Sequence, residues 1–162
     1  MLTQKELTQL FNYNYDTGIF TRAVAVSSTK VGDIAGYIHK ISGYHRIRIN
    51  NRKYLTHRLV WLYVHGYFPP NEIDHINGIR NDNRLCNLRL ATRTENMRNI
   101  GKSARNKTGF KGVSFDEKTG KYSIKLTVGK KELYLGGFLS LESAVDNYRN
   151  LAKKHYGEFA RF

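Results

Sequence analysis

The sharpest alternation in the chain runs through KYSIKLTV at positions 121 to 128. Tyr122, Ile124, Leu126 and Val128 fall on one side of an extended backbone, and Lys121, Ser123, Lys125 and Thr127 on the other. A strand with one apolar and one wet, basic face is predicted there. FKGVSF before it and ELYLGGF after it also read as strands, joined by Glu-Lys-Thr-Gly and Gly-Lys-Lys turns into a three-stranded antiparallel meander. The period then changes: behind Ser140, an N-cap residue, Leu141, Ala144, Val145, Tyr148, Leu151 and Ala152 recur at helical spacing, predicting a helix laid over the meander's apolar face.

Upstream, Thr3 and Glu6 form a capping box ahead of Leu7, Leu10 and Phe11, which predicts a helix of about two turns. The turn in YDTGIFTR sits between aromatic residues and predicts a hairpin. In YHRIRI, Ile47 and Ile49 share one strand face, with Arg46 and Arg48 on the other, and a polar NNRK turn follows. THRLVWLYVHG reads as a helix with Thr56 as N-cap and Gly66 as its stop. A markedly polar stretch comes next. A short strand after Pro69-Pro70 ends in Asp74-His75, Asn77-Gly78 signals a turn, and NLRL at 87 to 90 can return as the partner strand. Thr92 and Glu95 then form a capping box, placing Asn96 early in a helix. IGKSARNKTG has no periodicity and reads as a linker. The fold class is α+β: a strand, strand, helix core preceded by hairpins and helices, then a three-stranded antiparallel sheet packed on one C-terminal helix. The expected domains are 1–99 and 109–162, with a basic linker at 100–108.

Composition narrows the partner. The 162 residues are 40% hydrophobic and 12% aromatic, enough for compact cores, but carry a formal charge of +14 with a pI near 10.0. Such a balance points to a polyanion, with nucleic acid ahead of an anionic membrane. Residues 1–100 and 101–162 each hold a net +7, so the shorter half is denser in charge. No run approaches the ~18 consecutive apolar residues of a membrane span, and MLTQKELTQLF lacks the profile of a secretory signal, so a cytoplasmic protein is expected. Cys86, alone, excludes an internal disulfide and a four-cysteine zinc site, and reads as a small core residue.

Asp74-His75, then Asn87 in NLR twelve residues on from the histidine, then Asn96 in TEN, with HRLVW upstream, resemble the HNH endonucleases, particularly the phage and intron-encoded homing type with the ββα-metal fold. The resemblance covers roughly residues 10–100. It implies Asp74 and Asn96 as ligands of one divalent ion per site, Mg²⁺ or Mn²⁺, with His75 as general base. Asn87 is implied as the residue that pins the loop and orients the histidine. Asparagine at 96, where many relatives have histidine, favours a hard oxygen-ligated ion, and no structural zinc is expected. The residue chemistry agrees independently, because hydrolysis of a phosphodiester needs a base near neutral pH and a cation beside the phosphate. Neighbours on a regular strand point to opposite faces, so Asp74 and His75 can serve one site only if the strand bends or ends there. His57 and His65, flanking the HRLVW helix, read as packing or capping residues.

NKTGFKGVSF, KYSIKL, YLGGF, the ESAVDNYRNLAKKHYGE helix and a final FARF resemble the Apetala-two/ethylene-response-factor DNA-binding domain over about residues 106–162. That resemblance implies double-stranded DNA against the sheet's exposed face, with Lys111, Ser114, Lys121, Ser123, Lys125, Thr127 and Tyr134 as contacts. Lysine and hydroxyl groups favour phosphate anchoring over base reading. Arg98, Lys102, Arg105 and Lys107 near the linker, with Arg46 and Arg48 on the hairpin, are further candidates to track the DNA backbone. The combined expectation is a metal-dependent DNA endonuclease leaving 5′-phosphate and 3′-hydroxyl ends, of the phage homing or free-standing kind, monomeric and nicking, with no small-molecule cofactor. The alternative is a non-catalytic DNA-binding or transcription regulatory protein on a nuclease-like scaffold, and an RNA-binding protein is a third reading.

Overall fold

At the start of the chain Glu6 N donates to Thr3 Oγ1 (3.2 Å) while Thr3 N donates to Glu6 Oε2 (2.7 Å), so the expected capping box opens α1, Gln4–Leu10. The computed structural model describes residues 1–162, divided into two compact units, Met1–Arg93 and Thr94–Phe162. No helix is long and apolar enough to cross a membrane.

In the first unit β1 (Phe11–Asn14) and β2 (Ile19–Arg22) form the hairpin expected from YDTGIFTR. Its turn is fixed by Asn14 Oδ1, which accepts from Asp16 N and Thr17 N at 3.0 Å each. Gly18 has φ +71, and a Cβ there would lie 2.4 Å from Arg84 N, so only glycine lets the turn seat against the loop at 83–84. Next come β3 (Tyr37–Ile38), β4 (His45–Ile49) and β5 (Arg52–Leu55), joined into one antiparallel sheet. Asn50 and Asn51, at φ 46 and 62, make the turn that NNRK promised.

The β5 strand runs straight into α2, Thr56–His65, which ends on Gly66 at φ 83 as its spacing required. The N-cap differs from expectation: Leu55 occupies it, and Thr56 is the first helical residue. Its buried hydroxyl meets His45 Nδ1 at 2.8 Å, so the side chain joins helix to sheet instead of capping a helix end.

β6 (Glu72–His75) pairs antiparallel with β7 (Leu88–Ala91), Asp74 opposite Arg89 and His75 opposite Leu88. Ile73 and Leu88 pin this hairpin to the core built from Leu7, Phe11, Phe20, Ile47 and Leu59. A single 3₁₀ turn, Leu85–Asn87, leads into β7. Cys86 on that turn is exposed, contrary to the core role expected of it; Leu85 packs inward from the turn instead.

The boundary between the units falls inside α3, Arg93–Arg98, whose first residue closes the first unit and whose remainder opens the second. β8 (Val113–Asp116), β9 (Lys121–Val128) and β10 (Lys131–Phe138) form the expected meander in the order β10-β9-β8. Ser140 Oγ accepts from Ser143 N (3.2 Å) to cap α4, Leu141–Tyr156. From α4, Ala144, Val145, Tyr148, Ala152 and Tyr156 pack onto Val113, Ile124 and Leu126. Part of the stretch expected as a linker is folded onto the sheet: Asn106 Nδ2 donates to Phe110 O (2.8 Å) and Thr108 Oγ1 to Val113 O (2.9 Å). The two side chains satisfy backbone carbonyls that lie beyond the sheet's ladder, which periodicity along the sequence cannot reveal.

Candidate active site

The β6/β7 hairpin is closed by a polar clamp. Gly78, at φ 69, donates N–H to His75 O (2.7 Å), so β6 ends at the histidine. Asn87 Oδ1 accepts from Asn77 N (3.0 Å), and its Nδ2 donates to Asn77 Oδ1 (3.0 Å) and Asp82 O (2.9 Å). One buried amide thus fastens both ends of the 77–82 loop. Asp82 in turn accepts from Arg84 Nε (2.8 Å) and Nη2 (2.6 Å) and from Asn77 Nδ2 (2.7 Å). The guanidinium, aided by the amide, draws the Asp82 carboxyl down to about 2.

His75 is buried at the strand end, beneath rings that the sequence did not single out. His57 from α2 lies edge-on at 5.0 Å between centroids and 87°, and Tyr44 lies 5.9 Å away. Arg80 covers the far side of Tyr44 at 5.3 Å and is held by Ser42 O (2.9 Å). Burial lowers the His75 pKa, opposed in part by Asn83 and by the Asp74 and Asp82 charges. His57 is driven down to about 3, first by burial and then by His75 and Arg58, and its Nδ1 is buried without a hydrogen-bond partner.

The hydrogen bond to the His75 ring comes from Asn83, whose Oδ1 lies 3.4 Å from Nε2. Asn83 Nδ2 donates to Asn81 O (3.1 Å), which turns Oδ1 toward the imidazole. Nε2 then carries the proton and Nδ1 holds the basic lone pair. Asn83 is itself placed by the first hairpin, since Tyr13 Oη donates to Asn83 O at 2.8 Å. Asn87 therefore fastens the loop while Asn83 orients the ring, two tasks that the motif in sequence gives to Asn87 alone. Within the run NDNRLCN the two asparagines carry no distinguishing local pattern.

Asp74 is buried too, in different company. Arg89, its partner across the ladder, places Nε at 2.9 Å and Nη2 at 2.8 Å from Oδ2. The ladder continues without a bulge through His75, so alternation directs Asp74 and His75 to opposite faces. Asn96 is half-buried on α3, and its neighbours by compactness are those of the second unit. No three of the His, Cys, Asp and Glu side chains gather as a metal cluster.

Among the expected DNA contacts, Ser114, Lys121, Lys125, Thr127 and Tyr134 are exposed on the sheet face away from α4, with Ser123 half-buried at its centre. That face is less basic than its lysines imply: Lys125 Nζ pairs with Glu132 at 2.7 Å, and Lys121 stands opposite Asp116. Lys111 turns inward. Its Nζ donates to Arg98 O, and the Arg98 guanidinium lies 4.9 Å over the Tyr156 ring. Tyr148 crowds the backbone at Gly112, where a Cβ would meet the ring at 2.1 Å, so the chain at Lys111 bends beneath the sheet. Lys102 and Arg105 are exposed, and Lys107 pairs weakly with Glu117 at 3.4 Å. On the hairpin, Arg48 is exposed and bonded to Asn51 (3.2 Å), whereas Arg46 is half-buried.

Residues 54–98, from within β5 through α3, match the HNH endonuclease family. A relative described as "Protein 3.8" from Escherichia phage T7 is 34% identical over 107 residues, covering 65% of this chain and 88% of the relative. The chain belongs to the HNH endonuclease family. No solved structure matches it. The HNH segment contains Asp74, His75, Asn87 and Asn96, and also His57 and Asn83, so the imidazole pair and the clamped loop fall inside it. An HNH endonuclease domain takes DNA as its substrate.

Proposed function

We propose that this HNH protein hydrolyses DNA phosphodiesters with His75 as the general base. Water attacks phosphorus as its proton passes to His75 Nδ1, the bond from phosphorus to the 3′-oxygen breaks, and solvent protonates the leaving oxygen. The ends are a 5′-phosphate and a 3′-hydroxyl. The observation that carries this reading is the buried, uncharged His75 imidazole at a strand end, with Asn83 on Nε2 and the loop fastened by Asn87. Burial keeps the ring in the form that accepts a proton at neutral pH, and its hydrogen bond chooses the nitrogen.

Asp74 and Asn96 offer a carboxylate and an amide oxygen, a donor set that fits Mg²⁺ or Mn²⁺, with water and phosphate oxygens filling the remaining positions. Held there, the ion supplies positive charge beside the scissile phosphate. Arg89 fixes the Asp74 carboxylate through Oδ2.

The second unit is proposed to bind double-stranded DNA through the exposed face carrying Ser114, Ser123, Lys121, Lys125, Thr127 and Tyr134, with Lys102, Arg105, Lys107 and Arg48 on phosphates. Acting as a monomer, the protein nicks one strand per visit, in the manner of a phage homing or free-standing endonuclease in a host cytoplasm. Incubating supercoiled plasmid with the protein in Mg²⁺ should yield nicked circles that DNA ligase reseals, because ligase requires a 5′-phosphate beside a 3′-hydroxyl. Undiminished cleavage in EDTA would remove the ion from the account, and DNA binding without cleavage in Mg²⁺ or Mn²⁺ would favour the scaffold alternative.

A further inference from the structure

The α3 helix spans only Arg93–Arg98 and has no buried residue of its own. A helix this short is unstable in isolation, far below the ~12 residues at which even good sequences become marginal. Something outside it must hold it, and its carboxyl end supplies the answer.

The last carbonyls of a helix lack partners within the helix and carry its negative dipole end. Two cations of the second unit take them up here. Lys111 Nζ donates to Arg98 O, and Arg161 Nη1 donates to Asn99 O at 3.3 Å. The Arg98 side chain lies over Tyr156, the last residue of α4, at 4.9 Å, and Asn99 is buried. Burial, with Arg161 nearby, brings the Lys111 ammonium down to about 8, as expected of a group withdrawn from water. Three groups from separate parts of the second unit, namely the approach to β8, the end of α4 and the chain terminus, thus converge on one helix end.

We propose that the C-terminal unit is a positioning element of the nuclease site as well as a DNA-binding module: Lys111 and Arg161, with Tyr156 beneath Arg98, hold the helix that presents Asn96. The inference rests on the reading of Asn96 as an ion ligand. It changes the role of Lys111, which as a DNA contact would face phosphate and here caps a helix.

The test uses the full chain with Lys111→Met, Arg161→Met and Lys111→Arg. Three quantities are read: hydrogen exchange of the amides at 94–99, DNA affinity against salt in EDTA, and single-turnover cleavage of saturating DNA across a Mg²⁺ titration. Each Met variant should speed exchange at 94–99 by about tenfold, the ratio that loss of one hydrogen bond to a charged group produces. Exchange in β9 should stay unchanged, showing the unit still folded. Bound-complex cleavage should fall by a similar factor with a higher Mg²⁺ requirement, DNA affinity in EDTA should hold, and Lys111→Arg should restore most of the loss. Unchanged exchange, with weaker DNA binding and a salt slope reduced by about 0.9, would make Lys111 a phosphate contact and overturn the proposal. Faster exchange with undiminished cleavage would also overturn it. An inactive wild-type protein would instead refute the nuclease reading, while the exchange measurement still reports whether Lys111 and Arg161 hold α3.

Discussion

Asn87 makes three hydrogen bonds from one buried amide, all to the loop between the paired strands. Asn87→Ala should cost about 2–3 kcal/mol in urea unfolding, because it leaves the Asn77 and Asp82 backbone groups without their partner; a cost under about 0.5 kcal/mol would mean the loop is held by other contacts. Arg89→Met should cost about 3–5 kcal/mol at neutral pH, since it strips the guanidinium from a buried carboxylate. Double replacement with Asp74→Leu should recover much of that loss. A further expectation follows from the lowered histidines. His57 is depressed to about 3 by burial, and His45 is lowered by burial as well. Between the folded value and the unfolded value near 6.5, the unfolded chain binds more protons, so stability falls as pH drops below 6.5. His57 alone accounts for roughly 1 kcal/mol per pH unit in that window, and His57→Phe should flatten the dependence in urea midpoints measured from pH 7 to 5. The roles of individual side chains were the least legible in sequence. Asp-His and the two later asparagines stood out by spacing, but the His57–His75 contact joins residues from a helix and a strand, and Asn83 is marked only by where the first hairpin puts it.

Regular elements were legible wherever burial enforces a period. The β9 strand has the limits its alternation predicted, and both the α1 capping box and the Gly66 stop follow from local chemistry. Thr56 was misplaced because strand and helix meet without an intervening turn, and a threonine at such a junction can be used by the sheet. The exposed face of the meander carries the same lesson, since alternation tells which side chains point out and not which opposite charges they find across the ladder. Lys125 finds Glu132. If that face meets DNA, Glu132→Gln should free the ammonium, tighten DNA binding and steepen the log-log salt slope by about 0.9, readable by anisotropy titrations at several salt concentrations. An unchanged slope would place the DNA elsewhere.

For the whole molecule, a charge of +14 spread as +7 in each half made a polyanionic partner evident from composition, and the HNH match makes that partner DNA. The division into compact units at Arg93 was not evident, because α3 looks in sequence like the end of the nuclease motif while its contacts belong to the unit that follows. The central claim is that the buried imidazole at the end of β6 activates water for phosphodiester cleavage. It is tested most directly by plasmid nicking with wild-type protein and His75→Ala, both in Mg²⁺ and at concentrations giving equal DNA occupancy. The account predicts that the variant binds DNA like the wild type and cleaves about 10²–10⁴-fold more slowly, the contribution expected of a general base. Cleavage by His75→Ala at the wild-type rate would contradict it.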